Sequence, residues 1–175
     1  TLLLSVGDCA SYNGTDNGGQ QPGTYVDVAL NEGILKPHEN VGAFRAQTVD
    51  SHCGKILRLN PNNGDGLPSN PFFDSSEPRA PRSRVWALGL RNPFRMTLKP
   101  GTGSHNAEDG NPGALYIGDV GYVTWEELNV CDGPAQNFGW PIYEGHHLEP
   151  GYAPVLTDNP SAPNPLASGC GIDFF

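Results

Sequence analysis

The chain has few of the features that mark membrane, nucleic-acid or zinc-binding proteins. Its 175 residues contain no apolar run long enough to span a bilayer and no recognisable signal peptide. Basic residues are scarce: 10 Lys and Arg stand against 19 Asp and Glu, for a net charge of −9. No basic stripe relieves that repulsion toward phosphate, which excludes nucleic acid and anionic membranes as expected partners. The four cysteines, Cys9, Cys53, Cys131 and Cys170, form no C-x-x-C pair and have no histidine at ligand spacing, which argues against zinc. An even count in a loop-rich acidic chain instead suggests two disulfides and an oxidising, extracytoplasmic compartment. The preferred pairing is Cys9–Cys53 with Cys131–Cys170, each stapling a long insertion near its base. Four free thiols are the alternative. Asn13-Gly14-Thr15 is a glycosylation sequon of low information.

What is abundant is glycine (23) and proline (17), together with three Trp, seven Phe and six Tyr. The Gly and Pro content approaches the range of disordered chains. The aromatics, most of them beside β-type runs, need a core. Many short strands joined by Gly/Pro-rich loops satisfy both observations.

Strands are expected at residues 2–8, Lys55–Leu59, Arg84–Leu90, Met96–Lys99, Ala114–Gly118 and Glu126–Val130. Residues 9–52 form a long polar excursion, in which 41–49 are expected to lie against the body as helix or extended chain. The dense Asn/Gly/Asp run at 60–66 reads as a turn: its spacing is wrong for a calcium loop and the closing Glu is missing. Residues 67–83 read as a Pro-rich surface loop. Leu3-Leu4-Ser5-Val6-Gly7-Asp8 and Leu115-Tyr116-Ile117-Gly118-Asp119 share one pattern, an apolar strand closed by Gly-Asp, and each is followed by a second strand. Two copies of a blade's second and third strands, the first carrying the long insertion, imply an all-β propeller of which about two blades are present. Because the chain opens on Thr1 directly inside an apolar strand, it is expected to be a piece of a longer protein.

Four motifs then occur in order: Gly54-Lys55-Ile56-Leu57-Arg58-Leu59-Asn60-Pro61; Trp86-Ala87-Leu88-Gly89-Leu90-Arg91-Asn92-Pro93; Gly118-Asp119-Val120-Gly121 with Trp125-Glu126-Glu127-Leu128-Asn129; and Asn137-Phe138-Gly139-Trp140-Pro141. The series resembles the soluble glucose/sorbosone dehydrogenases, six-bladed propeller quinoproteins that use pyrroloquinoline quinone (PQQ) and calcium, and the related Hedgehog-interacting-protein-like propellers. The resemblance covers roughly residues 2–145. It implies a propeller domain over 1–145 and a Pro/Asn-rich continuation into the next blade over 146–175.

The resemblance also implies roles. Arg91 and Asn92 match the residues that contact the quinone, and a planar guanidinium suits a carboxylated ortho-quinone. Pro93 would hold the preceding residue extended. Asp8 matches the aspartate that orients the catalytic histidine, the base for the sugar's anomeric hydroxyl. His38, His52, His105, His146 and His147 do not match that base, which is expected upstream of Leu2. The carbonyls of Gly121 and Tyr122 match the loop that holds the cofactor calcium, although glucose-oxidising members carry proline where Tyr122 stands. Glu127 and the Phe138 carbonyl match ligands of a second calcium. Trp86 and Trp140 are expected to be core anchors and the His146-His147 pair to be solvent-exposed. The implied activity is oxidation of an aldose or related sugar to its lactone with an external electron acceptor, absent from this piece alone. The alternative is a non-catalytic propeller that binds a protein or glycan.

Overall fold

The computed structural model describes residues 1–12, 14–19 and 25–155. Asn13 of the sequon and Cys170 of the second expected disulfide lie outside them. The architecture is all-β, in antiparallel sheets. The first sheet has the order β1-β2-β3, formed by Leu2–Val6, Lys55–Leu59 and Val85–Leu88. The second has the order β4-β5-β6, formed by Pro93–Leu98, Leu115–Asp119 and Glu127–Cys131. A small hairpin, β7 (Tyr143–Glu144) with β8 (His147–Leu148), follows.

Alternation explains the strands. In β5, Leu115, Ile117 and Asp119 are buried while Tyr116 and Gly118 are partly exposed, a period of two. In β2 every residue is buried: β2 is flanked by β1 and β3, Ile56 packs into the core between the sheets, and Leu57 and Leu59 pack with Val85, Val6 and Phe72 on the other face. Arg58, on the Ile56 face, is 1% exposed and donates to Ser69 Oγ, Asn70 Oδ1 and the Ala107 carbonyl. The main core lies between the sheets: Ile56, Trp86, Ala87 and Leu90 from the first meet Leu115, Ile117 and Cys131 from the second. Burying each large apolar side chain there contributes roughly 1.5–3 kcal/mol.

β5 lies between β4 and β6, whereas among the described residues β1 pairs with β2. The fourth strand, expected at 96–99, starts earlier, at Pro93. Proline at the first position of a strand gives up no ladder donor.

The 9–52 excursion is ordered against the body where it is described. It contains a short helix α1 (Val26–Asn31) that strand periodicity did not suggest, and a 3-10 turn over Gly42–Ala46 in the stretch expected to dock. Ala43 and Ala46 pack with Trp140 and Tyr152 in a second cluster. Gln47 exchanges side-chain hydrogen bonds with Asn137 and donates to the Trp140 carbonyl at 2.5 Å. The turn at 60–66 closes as expected, with Asn60 accepting from the Asn62 amide and Leu59 bridging to Gly66. A second short helix, α2 (Pro81–Arg84), ends the Pro-rich segment.

Candidate functional site

Both Gly-Asp strand ends converge on one turn. Asp8 follows β1, and its amide donates to the Arg91 carbonyl at 2.7 Å. Asp119 ends β5, and its carboxylate accepts from the amides of Arg91 (3.0 Å) and Asn92 (2.6 Å). The Val120 amide returns a bond to the Asn92 carbonyl at 3.0 Å. Arg91 and Asn92 are therefore suspended between the two sheets, held by backbone contacts from both.

The segment Asn137–Trp140 is laid beside the end of β3 by bonds from Phe138 N to Leu88 O and from Trp140 N to Gly89 O, each 3.0 Å. Gly89 makes this possible: its φ is +76°, and a Cβ there would stand 2.1 Å from Asn137 Oδ1. Trp140 is thereby brought under Arg91. Its ring lies 5.6 Å from the guanidinium carbon and that of Tyr122 lies 5.4 Å from it, a cation–π cradle. Tyr152 packs edge-on against both rings. The Trp140 indole N–H donates to Asp8 Oδ2 at 2.7 Å, while Asp8 Oδ1 accepts from the Ala10 amide. Trp140 is thus a core anchor, as expected, and also a direct partner of Asp8.

Burial dominates the electrostatics. It pushes the Asp8 carboxyl up from the usual range, against the opposing Ala10 and Trp140 donors and the nearby Arg91 charge. Burial pushes Asp119 up to about 6 although two amides favour its charged form.

The expected site residues separate into groups. Asp8, Arg91 and Asn92 come together. Both recorded hydrogen bonds of the Arg91 side chain leave from Nη1, to Val120 O (2.9 Å) and Gly121 O (2.6 Å). Nε and Nη2 keep their donors for a ligand, and the exposed Asn92 side chain carries no recorded bond. This donor set fits an anionic quinone. The carbonyls expected to hold calcium fit less well, because the Gly121 carbonyl is already taken by a guanidinium. The Tyr122 ring helps seat that guanidinium over the loop. A cation on Gly121 O would have to share that carbonyl with the positive charge of Arg91.

Glu127 accepts from the Gly145 amide and from Asn129 Nδ2, and Phe138 packs on the main core. No hydrogen bond or ring contact joins these two expected ligands of a second calcium. Among the described residues no cluster of three or more His, Cys, Asp or Glu has the geometry to hold a metal ion. No histidine contacts Asp8 in a recorded bond.

Glu144 was not anticipated. It is 2% exposed, and its carboxylate accepts from the amides of Tyr122, Val123 and Thr124 and from the Thr124 hydroxyl. Burial raises this carboxyl, but the hydroxyl and the amides outweigh it and hold it below the usual range. Gly121 can lie close to this anchor because a Cβ there would meet Trp125 O at 1.8 Å. The only sequence sign of Glu144 is a carboxylate four residues after the Trp-Pro pair, which is too weak to select. The exposed His146-His147 pair packs beside Trp125, with His147 stacked on it at 5.8 Å.

Antiparallel sheets meet at their Gly-Asp ends with a cradled arginine between them, as befits a piece of a propeller. The chain belongs to the glucose/sorbosone dehydrogenase family, whose family model matches residues 2–168. The aldose sugar dehydrogenase YliI of Escherichia coli is 30% identical over 118 residues, covering 67% of this chain and 26% of that protein. The HIPL1 protein of Arabidopsis thaliana is 31% identical over 121 residues, covering 59% of this chain and 15% of that one. A crystal structure of a glucose dehydrogenase is similar with a TM-score of 0.43 and 28% identity, over 61% of this chain and 30% of that chain. The chain thus spans about a quarter or less of the length of these curated relatives. Among the described residues, no helix is long and apolar enough to cross a membrane.

Proposed function

We propose that the chain supplies half of the active site of an extracytoplasmic PQQ-dependent dehydrogenase that oxidises an aldose or related sugar to its lactone and passes electrons to an external acceptor. The six-bladed propeller would be completed by further chain. The observation that carries this reading is Arg91, fixed by Asp8 and Asp119 from both sheets, with Nε and Nη2 free beside an exposed Asn92. Bound there, the ortho-quinone would accept hydride from the anomeric carbon. Arg91 would supply a planar, forked cationic donor to its oxygens, and Asn92 would add a neutral donor. Asp8 would act as a positioning residue. Its oxygens, each holding one N–H donor, retain lone pairs for the imidazole of a histidine base, fixing that ring's tautomer. Calcium on the Gly121–Tyr122 carbonyls is not supported by the present arrangement, and no step is routed through it.

Titration of the chain with PQQ, read by quenching of tryptophan fluorescence, tests this reading. Arg91→Ala should weaken binding at least about tenfold, and Arg91→Lys should not restore it, because a point charge lacks the fork. Equal affinity in all three proteins would overturn the assignment. With PQQ, calcium and a dye acceptor, the chain alone should turn over no aldose.

A second reading is a non-catalytic propeller that binds a protein or glycan. It is favoured by the closure of the Gly121 carbonyl by Arg91 and of Asp8 by Trp140. It predicts no quinone affinity in the chain or in its longer parent.

A further inference from the structure

The two ends of the 9–52 excursion meet one residue away from the candidate site. Cys9 follows Asp8 directly, and Cys53 precedes Gly54, whose amide donates to the Gly7 carbonyl at 2.9 Å as the β1–β2 ladder closes. Cys9 and Cys53 thus flank the same closing backbone pair and their side chains are near neighbours, with Cys9 Sγ donating to the Gly7 carbonyl at 3.4 Å; both are free thiols in this structure. Cys9 is exposed and Cys53 is partly exposed, so an oxidant can reach the pair. Cys9 is also one of the few non-glycine residues with positive φ, at 60°. A residue with a Cβ adopts that conformation only where its surroundings impose it.

The backbone around the pair is held by two cations. Arg45 Nη2 donates to Cys9 O at 2.6 Å, and the fully buried Lys55 ammonium donates to Cys53 O (2.6 Å), Ala46 O (2.8 Å) and Arg45 O (2.9 Å).

We infer that Cys9 and Cys53 form a disulfide clasp that closes the excursion beside Asp8. With a low-molecular-weight disulfide as oxidant, the thiolate of one cysteine attacks one sulfur, forming a mixed disulfide and releasing one thiolate. The other cysteine then gives up its proton to that leaving group or to solvent. Its sulfur attacks the cysteine sulfur of the mixed disulfide and displaces the second thiolate, forming the Cys9–Cys53 bond. Two protein thiols are oxidised and one external disulfide is reduced to two thiols.

Closure also bears on the site, and this part rests on the quinone reading. The clasp pins the residue after Asp8, whose carboxylate holds Trp140 and whose amide holds the Arg91 carbonyl. Oxidised chain should therefore bind PQQ more tightly than reduced chain.

The test is a non-reducing peptide map of the full chain after incubation with glutathione disulfide. A cross-linked Cys9–Cys53 peptide is the expected result; both thiols recovered free, or either cysteine linked elsewhere, would overturn the inference. Two variants check the pairing: Cys9→Ser and Cys53→Ser should each stop at a glutathione adduct on the remaining cysteine of the pair, with no Cys9–Cys53 cross-link. An internal cross-link from the remaining cysteine to another would overturn the pairing. PQQ titration of oxidised and reduced chain then separates the two readings. A cross-link without quinone affinity in either state leaves the clasp standing and removes the quinone reading. Equal affinity in both states removes the coupling alone.

Discussion

The same strand motif occurs twice in this chain and is used in two different ways. Leu4 of β1 and Leu115 of β5 stand at matching positions before their Gly-Asp ends, yet Leu4 is 45% exposed and Leu115 is 1% exposed. The difference lies in the neighbours. β5 has a strand on each side and faces the other sheet across the core, whereas β1 has a partner on one side only among the described residues, in a chain that spans about a quarter or less of its curated relatives. The two Gly-Asp ends differ too. Asp119 spends its carboxylate on the backbone of Arg91 and Asn92 and so builds the turn. Asp8 contacts that turn through its amide and turns its carboxylate toward Trp140. One aspartate is structural first; the other has a side chain aimed into the site. The loops that follow also differ: a short one anchored by Glu144, and a long one whose ends meet at Cys9 and Cys53.

The largest expected effect tests the burial contrast. Leu115→Ala should destabilise the chain by about 2–5 kcal/mol, as deletion of a core side chain does, while Leu4→Ala should cost less than about 1 kcal/mol. Urea denaturation followed by circular dichroism measures both, and equal costs would mean that the burial contrast between β1 and β5 is wrong. Next comes the pair of aspartates. Asp119→Ala strands two backbone donors, at about 1–3 kcal/mol for each one left without an acceptor, and should lower stability more than Asp8→Ala does. Asp8→Ala should instead show itself in the site, as a blue- or red-shifted Trp140 emission with little change in melting temperature.

A third expectation concerns pH. Burial places the folded pKa of Asp119 at about 6, above the ordinary 3.8, so the folded chain holds more protons than the unfolded chain between those values. The stabilisation linked to this group is fully present below about pH 3.8 and is lost as pH rises through about 6. Asp119→Asn should remove that part of the stability–pH curve, on the order of 2–3 kcal/mol between pH 4 and 6. The Asp8 carboxyl is raised as well and acts in the same direction. An unchanged curve in Asp119→Asn would show that the group titrates normally. A smaller effect than that of Asp119 is expected at Glu144→Gln, about 1–2 kcal/mol, since the amide keeps one acceptor for the 122–124 loop. Faster hydrogen exchange confined to those amides would confirm that Glu144 holds the loop.

The strands were legible because their signals are local. A period of two, Gly and Pro punctuation and β-branched runs located six strands to within a few residues, and the repeated Gly-Asp endings identified equivalent positions. The order of the strands within each sheet was not legible, since pairing partners are not encoded in the strand being paired. α1 escaped because its six residues, Val26–Asn31, bury nothing and so carry no periodic apolar signal. The burial of Arg58 was not legible either, because its partners at Ser69, Asn70 and Ala107 come from distant loops.

Motif and composition alone therefore determined the all-β class, the family and the candidates Asp8, Arg91 and Asn92. All of these depend on which side chains stand within a few residues of one another. Tertiary structure decided which of them meet. Trp140 reaches Asp8 across 132 residues and Arg91 reaches Asp119 across 28. The same closure sets Arg91 on the Gly121 carbonyl, Glu144 under its loop and Cys9 against Cys53. Such contacts form only once the sheets have packed and loop closure has been offset by burial, and no local pattern in the chain records that balance.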